Sequence, residues 1–247
     1  MNFLNKIKHT PRKFQTRACL LGCGLAVTAA LLGLFAQPLV GWLHTMPRSK
    51  RVLDFIRHPA EHPAWTIQAL TQCPRAPFLF PTTGYVGYLW GDVFHFPRRH
   101  QGIDIFSGTA PGQTPVYAAY DGYLTREATW KSAVIIQHRD PLHPDRTIWT
   151  YYAHMADPQG HSFIVFPPNT HHLFVKAGTL LGYQGNYSGN PSRPTGVHLH
   201  FSIVLDDGQG HYRNELDFAN TLDPSPYLGM GLNAWQVPTS DIPHCNP

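Results

Sequence analysis

The sequence predicts an all-β domain of antiparallel sheets that is preceded by one N-terminal transmembrane helix. Beyond residue 78, short runs of β-branched and aromatic residues are separated by Gly, Pro and Asp, and helical periodicity is almost absent. Residues 18–36 carry no charge and are numerous enough to cross a bilayer as a helix. Residues 198–205 alternate two histidines with apolar side chains, which is typical of a strand.

Basic residues are concentrated at the N-terminus. Lys6, Lys8, Arg12, Lys13 and Arg17 precede the apolar stretch, whereas all 15 acidic residues follow it. The rest of the chain is therefore close to neutral. Its charge gives no indication of a nucleic-acid-binding surface, so we predict that the protein has no nucleic acid partner.

The basic leader, residues 1–17, favours a cytoplasmic N-terminus and an exported body, although basic residues at 48, 50 and 51 weaken this bias. We predict that residues 18–43 are a membrane anchor rather than a cleaved signal peptide. The protein is then a single-pass protein of the inner (cytoplasmic) membrane with a periplasmic or otherwise extracytoplasmic domain. Cys23 ends a sequence like a lipoprotein cleavage box, but most of the apolar segment follows it, which is the wrong order for lipidation.

Residues 44–77 are rich in Pro, His and charged residues and are predicted to be a spacer with one short helix around 48–57. His58 and His62 match the His-x-x-Glu-His pattern of inverted zinc proteases, which requires a helix. Pro59 and Pro63 disfavour that helix, so we predict no metal site there.

The predicted domain comprises residues 78–235, and residues 236–247 are predicted to be a tail. Residues 157–172 are expected to form a long loop, which is uncommon unless it is functional. Cys73 and Cys245 flank the domain. An exported body permits a disulfide between them, but the sequence alone does not show that they meet.

His198 and His200 are two residues apart on the predicted strand and therefore point to the same face. Such a pair can hold a metal ion, or can place one metal ligand beside one catalytic base. Because the chain has 16 histidines, a His-x-His pair can arise by chance and needs partners elsewhere.

Two further elements supply those partners. His100 precedes a strand-like run that contains Asp104 between two isoleucines, and a buried carboxylate there needs a partner or a metal. His154 ends an aromatic strand. His100, Asp104 and one histidine of the pair make three N or O ligands, which suits catalytic zinc with an open position for water. The other histidine of the pair and His154 are then available to move protons or to stabilise an oxyanion.

The three elements, in this order, resemble the lysostaphin/LytM-type peptidoglycan metalloendopeptidases, with patterns His-x-x-x-Asp, Tyr-x-His and His-x-His. The resemblance covers roughly residues 78–205. It implies a lysostaphin-type antiparallel β-sheet domain whose site lies in a groove between loops. It also implies that zinc is bound by His100, Asp104 and His200, and that His154 and His198 are the catalytic histidines. The implied reaction is hydrolysis of an amide bond in peptidoglycan cross-links or stem peptides.

One alternative is a non-catalytic cell-wall-binding or hydrolase-activating module of the same fold. All five site positions are intact, which favours an enzyme. A cupin-type metalloprotein also uses His-x-His on a strand, but no carboxylate follows His200 at a ligand spacing. The sequence does not identify a regulatory protein partner. Tyr88 is a further candidate hydrogen-bond donor near the site and stays outside the predicted set.

Overall fold

The computed structural model describes residues 40–43, 45–93 and 98–246. The predicted anchor therefore lies outside the described residues except for 40–43, and the basic leader lies entirely outside them. Within the described part of the chain, no helix combines the length and the apolar character that crossing a membrane requires.

In the described residues, ten strands make up most of the regular structure, and every pair of neighbouring strands is antiparallel. They are β1 (Tyr85–Tyr88), β2 (Ile103–Phe106), β3 (Pro115–Tyr117), β4 (Gly122–Arg126), β5 (Val134–Arg139), β6 (Thr147–Ala153), β7 (Thr170–Val175), β8 (Leu180–Tyr183), β9 (His198–Leu205) and β10 (Thr221–Leu222). The large sheet has the order β1-β2-β9-β6-β5-β4-β7, with β10 also paired to β9, and β3 pairs with β8 in a second sheet. The prediction of antiparallel β structure is confirmed.

Strand β9 lies inside the large sheet and has buried side chains on both of its faces. Leu199, Phe201 and Ile203 belong to the main hydrophobic core. Because side chains alternate along a strand, His198 and His200 project to the opposite face. The sheet core therefore supports the histidine pair from behind.

Residues 40–43 and 45–57 form helix α1, and those from Gly41 onward belong to the same compact unit as the sheet. The sequence predicts most of this segment to be a spacer. In the structure, Val52 and Phe55 are buried against Tyr85 and Phe106. One helical stripe carries the buried residues, at positions 41, 45, 48, 52 and 55. The segment predicted to be a spacer is therefore partly a helix that packs on the domain.

A second short helix, α2 (Ser225–Leu228), lies near the C-terminal end. Beyond it, Met230 bridges to Cys245, and Cys245 is disulfide-bonded to Cys73. The pairing that the sequence permits is therefore present. It ties the segment before β1 to the end of the chain, across a sequence separation of 172 residues.

Candidate metal centre

Strand pairing brings two of the predicted metal ligands together. Strands β2 and β9 are antiparallel neighbours, and their register places Asp104 directly opposite His200. Directly opposed residues on one sheet face have their Cβ atoms about 5 Å apart, which is close enough for both side chains to reach one ion. His100 lies in the turn immediately before β2.

Gly102 allows that turn to approach β9 closely. A Cβ atom at this position would lie 2.2 Å from the carbonyl oxygen of Phe201, which is far inside a normal contact. Only glycine therefore fits between His100 and the strand without displacing the backbone. This requirement explains why a glycine stands inside the His-x-x-x-Asp element.

The donor atoms of the three residues form a nearly equilateral triangle. His100 Nε2 lies 3.1 Å from Asp104 Oδ1 and 3.0 Å from His200 Nδ1, and His200 Nδ1 lies 2.9 Å from Asp104 Oδ1. Two ligands of a tetrahedral zinc ion are about 3.3 Å apart. Of the described residues, these three form a group able to hold a metal ion.

The outer hydrogen bonds of the two histidines orient their inner nitrogens. His100 Nδ1 donates to the carbonyl of Leu89 at 3.1 Å, so its Nε2 presents a lone pair to the triangle. His200 Nε2 lies 2.9 Å from the carboxylate of Glu215 and donates to it, which leaves Nδ1 for the triangle. Three electron-pair donors thus converge on a point where only a cation relieves their repulsion. The residues fit zinc.

The electrostatics of the buried cluster also favour a cation. Burial would raise the pKa of Asp104, but His100 and His198 outweigh it and hold the pKa of that carboxyl well below its usual value. Burial alone would lower the pKa of His200, yet Glu215 and Asp104 raise it to about 10. Two carboxylates therefore place negative potential on this histidine, and either a bound proton or a bound metal ion neutralises it.

His154 and His198 lie next to the triangle, with ring centroids 4.5 Å apart. His154 Nδ1 donates to the carbonyl of Tyr187 at 2.6 Å, and His198 Nδ1 donates to the carbonyl of Gly196 at 2.7 Å. Each ring therefore has an Nε2 that is free of a proton, and Nε2 of His198 lies 3.7 Å from Asp104 Oδ1. Both imidazoles are arranged to accept a proton or, once protonated, to donate one.

Burial favours the neutral form of both of these histidines. The pKa of His154 is lowered to about 3, mainly by burial and further by His198 and His200. Burial also lowers the pKa of His198, although Asp104 opposes the shift. His154 adopts a left-handed backbone conformation, with φ of 69°, directly after β6. A non-glycine residue in this region is strained, and such strain is common where a side chain must be aimed.

The cluster opens into a groove with a volume of about 540 Å³. All five predicted site residues line it. Helix α1 contributes Leu53 and Ile56, and β6 contributes Tyr151 and Ala153. Tyr88 also lines the groove, and its hydroxyl donates to Ser49 of α1 at 3.1 Å. The groove has the size of an ordinary ligand site, and α1 forms part of it.

Other histidines are placed away from the cluster. Residues 59–61 and 63–65 form two short 3₁₀ turns, each with a proline at its start, so the His58–His62 pattern does not lie on an α-helix. His62 instead pairs with Asp54 and stacks on Trp65. In the long loop, β7 begins at Thr170, and His172 stacks on Tyr123.

Glu215 is a charged contact of the cluster that the sequence analysis did not identify. It follows His200 by 15 residues and lies in a polar stretch with no periodic pattern. No signal in the sequence distinguishes it from other surface carboxylates. Burial raises its pKa, but His200 outweighs that effect and lowers it.

The fold and the site together define an antiparallel β-sheet domain with a buried His-Asp-His cluster that fits a metal ion, beside a groove. Residues 98–212 match the model of peptidase family M23, and this segment holds all five site residues. This match confirms the resemblance to the lysostaphin/LytM-type family that the sequence predicts. No curated protein sequence matches the chain significantly.

Solved structures that are similar to this chain include the following three. Lysostaphin from Staphylococcus simulans is 22% identical over 58% of this chain and 48% of its own, with a TM-score of 0.38. The separate lysostaphin catalytic domain is 22% identical over 57% of this chain and 89% of its own, with a TM-score of 0.39. A zinc-containing peptidase from Vibrio cholerae is 20% identical over 60% of this chain and 40% of its own, with a TM-score of 0.35. The match thus spans about half of the length of the lysostaphin chain.

Proposed function

We propose that the protein is a zinc-dependent endopeptidase that hydrolyses amide bonds in peptidoglycan cross-links or stem peptides. The observation that carries the proposal is the triangle of His100, Asp104 and His200 beside two neutral histidines in an open groove. The match of residues 98–212 to the model of peptidase family M23 supports the same activity and substrate class.

The roles of the five residues follow from their protonation. His100, Asp104 and His200 would hold zinc, which when bound supplies a Lewis acid and acidifies a bound water. His154 and His198 would accept a proton from the attacking water and return it to the leaving amine, because each has an unprotonated Nε2. In its protonated form, either imidazole would also stabilise the oxygen that becomes negative on the substrate carbonyl.

We further propose that the domain works outside the cytoplasm, tethered by the apolar segment 18–43. The disulfide between Cys73 and Cys245 supports this location, because disulfides persist mainly in oxidising compartments. Protease added to intact spheroplasts should digest the domain and leave the N-terminal segment protected. Recovery of the whole chain in the soluble cytoplasmic fraction would contradict the proposal.

Mass spectrometry of defined muropeptides incubated with the zinc-loaded, detergent-solubilised chain tests the activity. We expect cleavage of one class of peptide bond, its loss on chelation and its return when zinc is added. His198→Ala protein is the matched control, because it is expected to retain zinc. A wild-type chain that binds zinc and wall fragments without cleaving them would instead be a non-catalytic wall-binding or hydrolase-activating module.

A further inference from the structure

We propose that Glu215 is a positioning residue that fixes the orientation of His200 and strengthens its binding to the metal. Its carboxylate Oε1 lies 2.9 Å from His200 Nε2, the nitrogen that faces away from the triangle. Glu215 lies three residues beyond the segment that matches the family model. The inference concerns metal binding. Only an effect of Glu215 on catalysis would rest on the proposed function.

The first argument is the tautomer of His200. A neutral imidazole carries one N–H, and a carboxylate can only accept a hydrogen bond. Glu215 therefore holds the proton of His200 on Nε2. Nδ1 is left with its lone pair directed toward His100 and Asp104, which are 3.0 and 2.9 Å away. Without Glu215, the ring can rotate or exchange its tautomer, and either change removes a ligand atom from the triangle.

The second argument is that Glu215 is held in place independently of His200. The carbonyl of the next residue, Leu216, accepts a hydrogen bond from Gln101 at 3.0 Å. The Leu216 amide donates to Asn214 Oδ1 at 3.1 Å, and the Arg213 amide donates to the Leu205 carbonyl at the end of β9. The loop that carries Glu215 is thus attached both to the turn of His100 and to the strand of His200.

The third argument is the difference between the two histidine ligands. The outer nitrogen of His100 is bonded to a neutral backbone carbonyl, whereas that of His200 is bonded to a carboxylate. The Glu215 side chain is only 15% exposed, so water screens this charge weakly. A carboxylate partner raises the basicity of a ligating imidazole. His200 should therefore be the stronger of the two nitrogen ligands, because its outer nitrogen is bonded to Glu215.

The test is the zinc affinity of the purified full chain, measured by competition with a chromophoric chelator. We expect Glu215→Ala to weaken zinc binding by about 10–100-fold. Glu215→Gln keeps an acceptor oxygen and should recover part of that loss. Glu61→Gln makes the same chemical change at a side chain that is 72% exposed, and should leave the affinity unchanged. If Glu215→Ala does not fold, the nearly isosteric Glu215→Gln serves as the test variant.

A spectroscopic measurement separates positioning from general support of the loop. The visible spectrum of the cobalt-substituted protein should change in Glu215→Ala and remain the same in Glu61→Gln. Zinc affinity within twofold of wild type, together with an unchanged cobalt spectrum, would overturn the proposal. A wild-type chain that binds no zinc would overturn it too. Zinc binding that depends on Glu215 in a chain that cleaves no muropeptide would support it while refuting the proposed activity.

Discussion

The Arg48 guanidinium lies 3.0 Å from the Asp92 carboxylate, and the two side chains are 2% and 0% exposed. Asp92 also accepts a hydrogen bond from the Leu89 amide, and its backbone carbonyl accepts one from the His100 amide. The Leu89 carbonyl in turn accepts from His100 Nδ1. This buried ion pair therefore connects helix α1 to the turn that orients His100, a proposed metal ligand.

Arg48→Met should lower the free energy of unfolding by about 3 kcal/mol, because it leaves the buried Asp92 carboxylate without its cation. Urea denaturation measures the change. Arg57→Met, at an exposed position of the same helix, should change stability by no more than about 0.5 kcal/mol. Equal stability of the two variants would show that the ion pair does not hold α1 on the domain.

His198 and His200 should have different functions. His200→Ala is expected to reduce zinc content sharply, because His100 and Asp104 would remain as the only protein ligands of the triangle. Asp104→Ala should behave in the same way. Zinc content is measured by elemental analysis, at matched folding judged by circular dichroism.

His198→Ala and His154→Ala should retain most of the zinc and slow hydrolysis by roughly 10²–10⁴-fold, the usual effect of removing a positioned acid–base group. Muropeptide turnover measures the rate. Loss of zinc from His198→Ala together with its retention in His200→Ala would reverse the assignment.

Removing the disulfide should destabilise the protein. The Cys73→Ser, Cys245→Ser double variant is expected to lose about 2–5 kcal/mol of unfolding free energy, because the bond closes a long stretch of chain in the unfolded state. Wild-type protein treated with reductant should lose the same amount. An unchanged urea midpoint in both samples would show that the bond contributes no stability.

Stability should also fall in mild acid because of His138. Burial lowers the pKa of His138 to about 4, whereas an unfolded histidine has a pKa of about 6.5. Between these values the unfolded state binds more protons, so the free energy of unfolding decreases as pH falls. The expected loss from this group is about 3 kcal/mol by pH 4.

Urea denaturation of the zinc-free protein between pH 7.5 and 4 measures that effect. In the folded state, His138 donates to the Asp121 carbonyl and accepts from the Thr150 hydroxyl, both at 2.7 Å. His138→Gln should be less stable at pH 7.5 and should show a weaker pH dependence. His171→Gln, on an exposed strand position, is the control. If the free energy of unfolding depends on pH in the same way in all three proteins, His138 is excluded as the cause.

Much of the site is encoded in short sequence elements. The alternation of histidines with apolar residues after position 197 predicts a strand with one functional face, and β9 has that form. The order of the three elements predicts which of 16 histidines converge, and the structure brings His100 and His200 to the same side chain, Asp104. Local pattern suffices here because each element is a few residues long and lies on or beside one strand.

The sequence by itself predicted the antiparallel β class, and its resemblance to a known family pointed to His100, Asp104 and His200 as metal ligands with His154 and His198 beside them. The tertiary structure decided the packing of α1 at the groove, the pairing of Cys73 with Cys245 and the contact of Glu215 with His200. The physical reason is the range of the contacts. Period-two alternation and motif spacing are properties of neighbouring residues, whereas Arg48 meets Asp92, and Glu215 meets His200, only after the intervening chain has folded.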